Sequence, residues 1–65
     1  MQIEQEIKQA AIEQRLFNLR TRCFELQMDL AAYEANGDIQ GADQTKKLIE
    51  SCEKSYNAIN NMNTE

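Results

Sequence analysis

Chemistry in this chain would have to begin at Cys23 and Cys52, its two soft nucleophiles. They lie 29 positions apart and lack the C-x-x-C spacing of a redox or zinc motif. Histidine is absent, which removes the commonest general base and the commonest zinc ligand. Two thiols without histidine or nearby carboxylates in their seam fall short of the roughly four ligands a zinc site needs. The carboxylates are dispersed, and several sit at i,i+4 from a lysine: Asp43 with Lys47, Glu50 with Lys46, and Glu50 with Lys54. That spacing belongs to a solvated helix surface rather than to a paired acid and base. The chain is therefore expected not to be an enzyme and to use neither a cofactor nor a metal.

The cations offer a second kind of chemistry. Lys8, Arg15 and Arg22 recur every seven residues, which makes a row along one flank of a helix. Such a row could contact phosphates, but Glu4 and Asp29 interrupt its ends. Eleven acidic residues against seven basic ones leave a formal net charge of −4, the wrong sign for a general nucleic-acid binder. RNA contact through Lys8, Arg15 and Arg22 stands as the alternative reading. A membrane is not expected as a partner. The longest apolar run, Leu30-Ala31-Ala32-Tyr33, is far below the roughly 20 residues of a spanning helix. Met1-Gln2-Ile3-Glu4 has neither the basic start nor the apolar stretch of a signal peptide. The chain reads as a complete small cytoplasmic protein whose thiols are reduced and buried.

The elements that position these residues follow from one turn. Asn36-Gly37-Asp38 is the single strong turn signal, with Gly37 suited to a left-handed helix end and Asp38 to capping the next helix. Proline is absent and good helix formers dominate elsewhere, so helix 1 is expected over about 2–36 and helix 2 over about 39–60, with a frayed tail at 61–65. In helix 1, Ile12, Leu16, Leu19, Cys23, Leu26, Leu30 and Tyr33 follow alternating steps of 4 and 3. In helix 2, Ala42, Thr45, Ile49, Cys52, Tyr56 and Ile59 do the same. Both are coiled-coil seams. Folded at the turn, they register layer by layer, because facing positions sum to 75; Cys23 then meets Cys52, and Leu26 meets Ile49. The fold class is all-α, an antiparallel two-helix hairpin of coiled-coil type forming a single domain over 1–65.

Helix 1 carries another complete series with the same spacing: Ile3, Ile7, Ala10, Gln14, Phe17, Thr21, Phe24, Met28, Ala31 and Ala35. One helix 2 cannot cover both stripes. Before about residue 11 the first stripe turns polar, with Gln9, Gln5 and Gln2, while the second stays apolar. The first thus stops where the hairpin stops, and the second runs the length of helix 1. A second copy is the expected occupant, giving a dimeric four-helix bundle; another protein's helix is the next choice. This architecture is similar to that of the small plasmid regulators that bind paired RNA loops, a likeness of shape without matching residues. The function expected is that of a non-enzymatic adaptor, inhibitor or regulator, the class that includes small proteins of viruses and mobile elements.

Overall fold

A computed structural model describes residues 2–62. Helix α1 spans Gln2–Ala35 and helix α2 spans Ile39–Met62, and the two pack antiparallel on each other. α1 contains neither glycine nor proline, so nothing in it interrupts the hydrogen-bond ladder.

The turn works as its sequence implies. Gly37 takes a φ of +69°, the left-handed conformation that costs glycine no steric penalty. The Gly37 N–H donates to the Glu34 carbonyl at 3.1 Å and the Asp38 N–H to the Tyr33 carbonyl at 2.9 Å. This pair of bonds is the Schellman closure, which satisfies carbonyls that the helix end would leave unpaired. The Asn36 side-chain amide adds a second bond to the Ala32 carbonyl, at 2.8 Å, beside the one from its own backbone N–H at 3.2 Å. Asp38 then starts α2, its Oδ1 accepting the Gly41 N–H at 2.9 Å as an N-cap should.

The first stripe and the α2 seam form the core. Ile12, Leu16, Leu26, Ala42, Thr45 and Cys52 are buried, and Leu19, Cys23, Leu30, Ile49, Tyr56 and Ile59 are half-buried. Tyr33 alone of these stripes is exposed, at the turn end. Its ring lies over Gly41, where an added Cβ would come within 2.6 Å of Tyr33 Cδ1. Gly41 is therefore the gap that lets this aromatic ring reach α2, a role its position in the sequence did not reveal.

Two element boundaries differ from the sequence reading. α1 ends at Ala35 rather than 36, because Gly37 already turns the chain away. α2 continues through Asn61 and Met62 instead of fraying from 61. Met62 borders a groove with Ala11, Ile12, Arg15 and Ile59, which places this last turn alongside the start of the core stripe although its composition alone favours a loose end. The expected fraying at 63–65 lies outside the described residues. Because α2 ends beside Ala11 and Ile12, the first turns of α1 project beyond it. The molecule measures 54 × 14 × 11 Å, with a radius of gyration of 15.5 Å against roughly 11 Å for a compact chain of this length.

Candidate interaction surface

The thiols come together as the layer arithmetic requires. Cys52 is buried, Cys23 is half-buried beside it, and both are free. The Cys52 thiol donates to the Leu19 carbonyl at 3.4 Å. Burial first of all, and then the hydrogen-bonded Cys52 thiol and the Glu53 carboxylate, push the Cys23 thiol from its ordinary 9.0 up to about 11. Near neutral pH it therefore remains protonated, and a protonated thiol is a poor nucleophile. Among the described residues, no three histidine, cysteine or acidic side chains gather where they could hold a metal ion. The cysteine layer packs the core.

The second stripe of α1 is exposed along its whole length. Ile3 is 67%, Ile7 65%, Phe17 66%, Phe24 61% and Met28 52% accessible, and Ala10, Gln14, Thr21, Ala31 and Ala35 are exposed with them. All ten lie on the side of α1 turned away from α2, roughly 150° round the axis from the core stripe at 3.6 residues per turn. The stripe is not smooth. Phe17, Arg20, Thr21, Phe24, Glu25 and Met28 line a notch, formed where small Thr21 stands among larger neighbours. Outside the stripe, Ile39 and Leu48 on α2 are exposed as isolated apolar residues, which is ordinary for a protein surface.

The cation row is also at the surface: Lys8, Arg15 and Arg22 are all exposed. Arg22 borders a groove with Leu48 and Ser51, and Arg15 borders the one that holds Met62. Arg20, which does not belong to that row, bridges the helices on the other side. Its guanidinium donates to the Tyr56 hydroxyl at 2.7 Å and lies 5.6 Å from the ring centroid, combining a hydrogen bond with a cation–π contact. No simple spacing rule joins positions 20 and 56, although they fall one residue from the expected register.

Among the described residues, no helix is long and apolar enough to cross a membrane. No protein-family model, curated protein or solved structure matches the chain, so its surface chemistry has to carry the functional reading.

Proposed function

We propose that this is a small non-enzymatic helical interaction protein, an adaptor, inhibitor or regulator that acts as a homodimer through protein–protein contacts. The class includes small regulators of viruses and mobile elements. Two hairpins joined through α1 make a dimeric four-helix bundle. The observation that carries this reading is the largely apolar stripe from Ile3 to Ala35, polar only at Gln14 and Thr21 and exposed on the hairpin's far side. Contiguous apolar surface on this scale marks an interaction site. The accessible area supports it. At 5280 Å², it exceeds by roughly 1,000 Å² the ~4,200 Å² expected of a compact monomer of 7.5 kDa. That excess is comparable with the roughly 800 Å² per partner that stable interfaces bury. We place the protein in the cytoplasm, where two neighbouring thiols stay reduced.

Sedimentation equilibrium tests the reading. Wild-type protein is expected at twice the chain mass of 7.5 kDa. Phe24→Asp would bury a charge in the interface and is expected to give monomer or unfolded chain. Arg22→Asp, on the flank, is expected to remain a dimer. A folded, dimeric Phe24→Asp protein would show that the stripe is not the dimer interface.

The exposure of Lys8, Arg15 and Arg22 favours a second reading, an RNA-binding hairpin dimer. It would show as a salt-sensitive shift of structured RNA that Arg15→Ala with Arg22→Ala abolishes. The net charge of −4 makes it the weaker of the two.

A further inference from the structure

We infer that the outer face of α1 is covered by the same face of a second copy running antiparallel, with the two-fold axis crossing beside residue 19 and Phe17 of each copy seated in the Thr21 notch of the other. This rests on the homodimer reading and supplies its geometry.

Size matching selects the register. When facing positions sum to 38, Ile3 meets Ala35, Ile7 meets Ala31, Ala10 meets Met28, Gln14 meets Phe24 and Phe17 meets Thr21. Every layer sets a larger side chain against a smaller one, as a close-packed seam requires. Shifting by one heptad destroys the match. A sum of 31 puts Ile7 on Phe24 and Ala10 on Thr21, and a sum of 45 puts Phe17 on Met28 and Ala10 on Ala35. A parallel, in-register pair stacks Phe17 on Phe17 and Phe24 on Phe24 while leaving thin layers at Ala10, Ala31 and Ala35. A parallel pair would also set Arg20 against Glu25 of the second copy, but Tyr56 already holds Arg20. An unrelated helix would have no reason to reproduce a pattern that complements itself. The notch adds an independent sign. Thr21, the position this register assigns to the incoming Phe17, lines it together with Phe17, Phe24 and Met28 of the same chain.

The nearly opposite placement of the two stripes fixes the assembly further. A square bundle needs its two contact faces about 90° apart on each helix, and here α1 is held between α2 and the second α1. The four helices therefore form a flattened layer in the order α2, α1, α1, α2. The two-fold axis of an antiparallel pair stands perpendicular to that layer. Both Lys8, Arg15 and Arg22 rows consequently lie on one broad face, and Arg15 and Arg22 of the two copies approach one another around the axis. The overhanging Ile3 and Ile7 also gain a partner, at the turn end of the other copy's α1.

Spin labels read this geometry directly. Gln5→Cys, in a background of Cys23→Ala and Cys52→Ala, places one label per chain on the overhang, away from the outer stripe. In the antiparallel register the two labels stand about 42 Å apart along the axis at 1.5 Å per residue. In a parallel pair only the width of two helices and their labels, roughly 25 Å, separates them. A long distance supports the arrangement. A short one overturns the orientation and leaves the homodimer standing, and a monomeric mass with no coupling overturns both. Lys54→Cys in the same background reads the layer, since the two α2 axes lie about 27 Å apart there against ~14 Å or less in a square bundle. If the alanine background loses its helicity, the native cysteines are kept, because their burial makes them slow to label.

Discussion

On the side of α1 that meets α2, Ile12 and Leu16 are each 7% exposed and Leu26 3%. On the opposite side of the same helix, Ile3, Ile7, Phe17 and Phe24 are between 61% and 67% exposed. Both stripes have the same alternating spacing, and the exposed one carries both phenylalanines of the chain. The difference teaches that heptad spacing gives a face the capacity to pack, while burial depends on whether the same chain supplies a partner. α2 supplies one for the inner stripe, and its length sets how far that stripe remains apolar. Beyond Ala11 the inner side turns to glutamines, whereas the outer side keeps Ala10, Ile7 and Ile3. A face that stays apolar where its neighbour has become polar is the one on which the proposed homodimer rests, since α2 does not reach that far.

The largest effect expected is at the inner stripe. Leu26→Asp places an unpaired carboxylate at the best-covered position of the core and is expected to abolish helicity in circular dichroism at every concentration. Retained helicity would break the distinction between the faces. Next comes a pair of truncations. Leu16→Ala is expected to cost about 2–4 kcal/mol of stability in denaturant melts. Phe17→Ala, one residue away on the other side, should leave the concentrated protein helical and show its cost as weaker dimerisation in a dilution series. Equal losses of helicity would mean that the two faces form one core.

A smaller effect tests the turn end of the inner seam. Gly→Ala inside a helix ordinarily gains roughly 0.5–1 kcal/mol. At Gly41 the new Cβ would meet the Tyr33 ring at 2.6 Å and Asp38 Oδ2 at 2.8 Å, so Gly41→Ala is expected to destabilise in thermal melts and Tyr33→Ala to relieve part of that cost. The smallest effect concerns pH. The folded protein holds the Cys23 proton up to about 11, against an ordinary value of 9.0. Its contribution to stability is whole below about 9 and is lost as pH rises towards 11, so stability should fall through that window. Cys23→Ala should show a shallower fall in parallel melts.

The sequence made the hairpin legible because both of its determinants are local or periodic. Gly37 and Asp38 mark the turn by their own conformational and capping preferences, and the alternating steps place Cys23 against Cys52 without any knowledge of rotamers. Contacts that depend on where long side chains swing were not legible. The Tyr33 ring over Gly41 and the Arg20 bridge to Tyr56 each need a particular rotamer. The last turn of α2 was hidden for a different reason, since it lies beside Ala11 and Ile12, about fifty positions away, in a tail whose asparagines suggest fraying. The helix-surface pair of Glu50 with Lys54, by contrast, closes at 3.4 Å as its i,i+4 spacing implies. The outer stripe was legible as an apolar face, and its exposure in the hairpin is plain. Spacing alone reads alike for a second copy and for a different helix, and the pairing of large with small positions is what the homodimer proposal adds to it.

Hydroxyl-radical footprinting across a dilution series, read residue by residue, tests the central claim most directly. With the protein concentrated, Phe17, Phe24 and Met28 are expected to be protected although the isolated hairpin leaves them 66%, 61% and 52% exposed, and their reactivity should rise as the protein is diluted. Leu16 and Leu26 should be protected wherever the chain is helical. If Phe17, Phe24 and Met28 react at full rate in concentrated, helical protein, the outer face of α1 is not where two copies meet.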